Sequence, residues 1–208
     1  MYKRQDWVRR GKNFVDNKLW AHAERAYLKG GASGVPEAFH AGGMRLASSA
    51  MGSKQAKVEK FKRAAIAFLK SATLRAPGKV GDRELFRAAK SFCVAATAAD
   101  SGDAKAKLLG EAGLVLDEGL RKPWEAACCF AHAGAAATRG AAKVYWLKAL
   151  RAYDGADLGP RDVGVAANLA KLAGGQTGGA LVESVTAPLT MTQHGWDKLY
   201  AEYKESGE

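Results

Sequence analysis

The chain has 208 residues, a formal charge of +11, and 42 alanines against only 5 prolines. That length suits one ordinary domain or a short repeat array, with enough chain to bury a core. Apolar residues at 48% with charged residues at 25% exclude a disordered chain, and the want of any uninterrupted apolar window of about eighteen residues excludes a transmembrane helix.

Residues 1–8 are charged and lack the apolar stretch of a secretory signal. Alanine is the strongest helix former, and apolar residues recur at i, i+3 and i+4 along most of the chain. The pattern predicts helices over 4–17, 19–30, 36–51, 55–75, 82–100, 103–119, 123–137, 140–154, 161–173 and 192–205. Glycine or proline breaks it at 30–31, 76–78, 101–102, 122–123, at Gly134 with Gly140, and at 159–160. Pro36, Pro123 and Pro160 fall where a first helical turn tolerates them, and Asp82 and Asp103 are N-cap candidates. Alternating strand patterns are nearly absent, the best being residues 181–186. Residues 174–179 are mostly glycine and read as the start of a flexible linker. The expected organisation is thus a helical array over 1–173, a Gly-rich linker over 174–190, and a C-terminal amphipathic helix over 191–208. On that last helix Trp196, Leu199, Tyr200 and Tyr203 share one face. Such a face needs a surface to cover, either the body or another chain.

An internal regularity organises the array. An alanine followed four residues later by an aromatic recurs at Ala23/Tyr27, Ala64/Phe68, Ala88/Phe92, Ala126/Phe130 and Ala149/Tyr153. The small residue admits a neighbouring helix and the ring one turn on fills the gap. Five pairs in separate predicted helices favour a helical-hairpin array.

Trp7, Gly11 and Phe14, followed by Trp20, Ala23, Tyr27 and Pro36, resemble the tetratricopeptide (TPR) pattern. Leu109–Gly110 with Trp124, Ala126, Ala127 and Phe130 gives a second partial match. Arg10 stands where the pattern has leucine, Gly30 where a later alanine is usual, and the repeat length is not a steady 34. The spacing of Trp7, Gly11, Phe14, Trp20 and Ala23, with Phe61, Ala64, Ala65 and Phe68, is also similar to the helical repeat region of UvrD-like helicases and their TPR-and-ankyrin relatives. A looser likeness is to soluble NSF attachment proteins. The resemblance covers roughly residues 4–155. It implies an all-α, TPR-like α-solenoid of antiparallel helical hairpins wound into a right-handed superhelix, serving as a binding scaffold with no catalytic residues.

The residues themselves carry little chemistry. Residues 174–179 lack the lysine and hydroxyl that complete a phosphate cradle, so no nucleotide motor is expected. No serine or cysteine nucleophile signature occurs, and the adjacent Asp117 and Glu118 diverge by about 100° on a helix. Cys128 and His132 share a helix face, but zinc needs three or four ligands, and Cys93, His22, His40 and His194 stand singly. No metal, cofactor or enzymatic activity is expected. Three cysteines, two of them adjacent, make no disulfide framework and fit a reducing, intracellular compartment.

Charge gives the functional expectation. Residues 1–80 hold 17 Lys and Arg against 5 Asp and Glu, while residues 81–208 hold 15 against 16. On the 55–75 helix, Phe61, Ala64, Ala65, Phe68 and Ala72 share one arc and Lys62, Arg63 and Lys70 point away. Its apolar side, mainly alanine with two Phe, suits packing inside the array rather than membrane insertion. A one-sided basic field steers acidic partners, nucleic acid or anionic membrane, or is simply a solvated face. The expected function is protein–protein interaction: holding an acidic partner segment, with Arg10, Lys18, Lys54, Lys57 and Arg63 in contact, or sitting as a subunit in a larger assembly. The alternative is a nucleic-acid-associated module, bound to RNA, DNA or a ribonucleoprotein or accompanying a helicase.

Overall fold

A computed structural model describes residues 3–156 and 162–203. Among them are eleven α-helices and no strand: α1 (Arg4–Asp16), α2 (Trp20–Lys29), α3 (Val35–Ser48), α4 (Lys54–Thr73), α5 (Lys79–Ala98), α6 (Gly102–Leu114), α7 (Pro123–Ala136), α8 (Arg139–Gly155), α9 (Val163–Ala173), α10 (Gly179–Thr186) and α11 (Gln193–Tyr203). Helix α6 runs on as a wider π-turn over Val115–Gly119. None of the described helices is long and apolar enough to cross a membrane.

Several helix starts have a visible chemical cause. Ser53 caps α4 by accepting from the Ala56 amide at 3.3 Å, and Asp162 caps α9 by accepting from Gly164 and Val165 at 2.9 and 3.3 Å. Pro36 and Pro123 sit in the first turns of α3 and α7. The expected caps at Asp82 and Asp103 are displaced inward. Helix α5 starts earlier, after Gly78, whose φ of +144° suits a residue without a Cβ. Ser101 caps α6, which frees Asp103 to accept from the Thr138 amide at 2.8 Å and tie the start of α8 to α6. Gly134 does not break α7 but lies buried within it. The break at 159–160, with Pro160, lies outside the described residues.

Helices adjacent in sequence pack on one another from α1 through α10. The five Ala/aromatic pairs form the seams: every one of those alanines is 0% exposed and every partner ring 5% or less. Three of these five rings lie on a glycine of an earlier helix. The Tyr27 ring lies on Gly11 of α1, Phe68 on Gly43 of α3, and Phe130 on Gly113 of α6. Trp146 and Tyr145 of α8 lie on Gly134 of α7 and Gly110 of α6. A glycine in one helix thus receives a ring from a later one, so the two backbones approach closely around a large side chain.

Burial falls into three sets. Ala23, Tyr27, Ala38 and Ala41 join α1–α3; Ala64, Phe68 and Ala88 join α4 to α5; and a large set running from Ala65 to Tyr203 joins α4 to α11. Residues 174–190, expected as a linker, include α10, and the strand candidate at 181–186 is part of that helix. Val185 and Leu189 there are 0% and 1% exposed. The chain then turns back: α10 packs on α7 as well as on α9, and α11 packs on α5. Trp196, Tyr200 and Tyr203 surround the Phe86 ring with centroids at 5.7, 5.5 and 6.3 Å. The aromatic face of the last helix therefore covers the chain's own body.

Candidate partner-binding clefts along α4

Helix α4 turns Ala64, Ala65 and Phe68 inward and leaves Lys62, Arg63 and Lys70 exposed, as its wheel predicts. Its cations serve two separate clefts. At its N-terminal end, Lys54 and Lys57 line a cleft with Ala50, Phe61, Val94 and Thr97 against α5. Lys54 is already paired there with Asp100 at 3.2 Å. Farther along, Arg63 and Lys70 border a cleft between α2, α3 and α4 whose apolar lining includes Phe39, Leu46 and Ile66.

The second cleft holds an internal ion pair, Arg45 Nε to Glu24 Oε2 at 2.8 Å. Arg63 and Lys70 have no ion pair among the described residues; Lys70 Nζ stands 5.5 Å from the Phe39 ring centroid. The side chain of Ile66 is 40% exposed between them. The cleft therefore combines an apolar floor with unneutralised positive charge.

The other expected contact residues lie apart. Arg10 leans over the Trp7 indole at 5.3 Å, with Lys29 Nζ 4.5 Å from the same ring. Lys18 occupies the α1–α2 turn with φ +56°. Its amide donates to Val15 at 2.8 Å and that of Leu19 to Phe14 at 2.8 Å, the paired bonds of a Schellman turn. The five expected residues thus divide among the α1 surface, a turn and two clefts. The sequence offered Lys70 only as an outward basic residue of α4, among the candidates for phosphate contact, and did not single out Arg45. Their signal is weak, since only the tertiary packing of α3 against α4 sets them around one floor.

A buried polar cluster was equally hidden. Glu84 of α5 is 1% exposed and accepts from His40 Nδ1 of α3 at 3.0 Å and from Arg87 Nη1 at 2.8 Å. A carboxylate only accepts, so His40 Nδ1 carries a proton in this contact. Burial pushes the Glu84 carboxyl up, yet the His40 hydrogen bond and the charges of His40, Arg87 and Arg75 outweigh it and hold it below its ordinary range. Nearby, Arg75 Nη1 pairs with Glu37 Oε1 at 3.3 Å, and Ser71 donates to the Pro36 carbonyl at 2.9 Å. These bonds fix α3 against α4 and α5, and hence the shape of the α2–α4 cleft.

The cysteines also converge more than their spacing implies. Cys93 is not isolated: its sulfur meets that of Cys129 across α5 and α7, in a cleft also lined by Cys128 and His132. His132 bonds Thr190 at 3.2 Å, and burial and then the Lys105 charge push its imidazole down. Among the described residues no group of three or more His, Cys, Asp or Glu has metal-binding geometry. Comparison of the chain with protein-family models, curated proteins and solved structures gave no match.

Proposed function

We propose that the chain is a non-catalytic protein-binding scaffold, a TPR-like solenoid of antiparallel helical hairpins that takes an acidic, amphipathic segment of a protein partner in the α2–α4 cleft. The observation that carries this reading is the pair of unneutralised cations, Arg63 and Lys70, flanking the apolar floor of Phe39, Leu46 and Ile66. Acidic side chains would pair with the rim while apolar ones cover the floor. The consecutive packing of helices and the ring-on-glycine seams support the solenoid. The fold-back of α10 and α11 supports the choice of face, because it covers parts of α7 and α5 and leaves α2–α4 open.

The exposed cations Lys57, Lys62, Arg63 and Lys70 on one helix also favour a second reading, contact with a nucleic-acid backbone. A phosphate chain would use the charges and leave the apolar floor uncovered. Fluorescence anisotropy with the intact protein separates the two, using a labelled Glu/Leu amphipathic peptide, a poly-uridine strand and a DNA duplex. The expected result is peptide binding that weakens about tenfold in the Arg63→Glu/Lys70→Glu variant, and also on Ile66→Asn, which removes apolar contact without changing the charge. Peptide binding indifferent to Ile66→Asn, or tighter capture of either nucleic acid with a steep salt dependence, overturns the proposal.

A further inference from the structure

We infer that Cys93 and Cys129 form an oxidisable dithiol, a modification site at which a peroxide closes a disulfide between α5 and α7. The two sulfurs are 3.8 Å apart although 36 residues separate them in sequence. Both line a cleft of about 250 Å³ that also has Lys105, His132, Met191 and Trp196 in its wall. A disulfide brings its sulfurs to about 2.05 Å, so the closure required is about 1.8 Å.

Their burial differs in a way that assigns the roles. Cys93 is half-buried at the cleft, within reach of a small oxidant, whereas Cys129 is 4% exposed. The hydrogen bond with Cys93, and then burial, push the Cys129 thiol up, so it waits as the protonated resolving group. Cys128, next in the chain, is buried and makes no thiol–thiol hydrogen bond among the described residues; burial pushes its thiol up as well.

The chemistry balances with hydrogen peroxide as the oxidant. The Cys93 sulfur attacks one peroxide oxygen, an S–O bond forms, the O–O bond breaks, and the departing hydroxide leaves as water with the thiol proton. The Cys129 sulfur then attacks the sulfenic sulfur of Cys93. The S–S bond forms, the S–O bond breaks, and that hydroxide takes the Cys129 proton as a second water. The protein loses two protons and two electrons, and the peroxide is reduced to two waters. Trp196 of α11 lines the same cleft, so the cross-link staples α7 to the helix on which α11 rests.

The test treats the intact protein with a small excess of hydrogen peroxide, blocks remaining thiols, and reads whole-protein and peptide masses without reduction. The expected result is a mass about 2 Da below that of the protein carrying one blocking group, reversed by dithiothreitol, with a peptide joining Cys93 to Cys129 and Cys128 still alkylated. Cys128→Ser keeps the 2 Da loss, whereas Cys129→Ser gains oxygen at Cys93 in steps of about 16 Da. The wild-type peptide map decides the matter even if a variant fails to fold. Oxygen addition without the 2 Da loss, a link through Cys128, or a link only between chains overturns the proposal.

Discussion

The ring of Tyr27 occupies the place where a β-carbon on Gly11 would stand: a Cβ there would lie 2.6 Å from two of its carbons. Gly43 and Phe68, and Gly113 and Phe130, repeat the relationship at 2.6 Å. Since the ring is fixed between buried alanines, it has little room to withdraw. Gly11→Ala, Gly43→Ala and Gly113→Ala are each expected to lower stability by about 1–3 kcal/mol. Gly140→Ala, with nothing within 4 Å of the added carbon, is expected to raise it by about 0.5 kcal/mol through helix propensity alone. Urea unfolding midpoints of the four variants check the contrast, and equal effects at all four sites would remove the seam argument.

The Glu84 cluster makes a pH-dependent prediction. The folded-state carboxyl lies below its ordinary 4.5, so its contribution is present above that pH and is lost as pH falls through the lower folded value. Glu84→Gln is expected to cost about 2 kcal/mol at pH 5, since charge-assisted hydrogen bonds to His40 and Arg87 are lost. The gap between variant and wild type should narrow at pH 3. Denaturant unfolding at the two pH values measures it.

Helix α11 is held largely by its rings. Trp196→Ala is expected to destabilise the protein by about 3 kcal/mol and to release α11 from Phe86. Burial, and then the charges of Glu202, Asp82 and Glu125, push the Tyr203 hydroxyl up to about 12. A folded value raised above the ordinary 10.0 leaves stability intact below pH 10 and withdraws it as pH climbs towards 12. Tyr203→Phe should escape that alkaline loss, which tyrosinate absorbance and unfolding curves together would detect.

Lys18 is a lysine in a glycine's place. Its φ of +56° strains a residue with a Cβ, and the Schellman turn it occupies commonly uses glycine. Lys18→Gly is expected to stabilise by about 0.5–1 kcal/mol. It should leave binding of an acidic peptide unchanged, because the side chain stands outside the α2–α4 cleft. Thermal unfolding together with anisotropy checks both halves.

The helical class and the seam residues were legible in the sequence because helix preference is local and alanine marks each buried stripe. The ten expected helices all have counterparts, and the inward arc of α4 holds at Ala64, Ala65 and Phe68. Helix α10 escaped notice because glycines precede it and Val182, Val185 and Thr186 are β-branched, so a short helix and a short strand look alike. The glycine partners of the rings lie on other helices, beyond any local window. Arg45, Lys70 and the His40–Glu84 contact depend likewise on how α3 meets its neighbours, 44 residues separating that last pair. Charge clustering located the basic region, and packing then divided it between two clefts.

The thin burial of α1–α3 has a dynamic consequence. Among the described residues Tyr27 is the only large side chain in the buried set joining those helices, whereas many rings and leucines lock α5 to α9. Opening free energy is therefore graded along the chain, and amide protons of α1 and α2 should exchange with solvent well before those of α7. Mutual repulsion among the cations of residues 1–80 weakens the same end, so added salt should slow exchange there first. A partner seated beside Glu24 and Arg45 would clamp the segment that opens most readily.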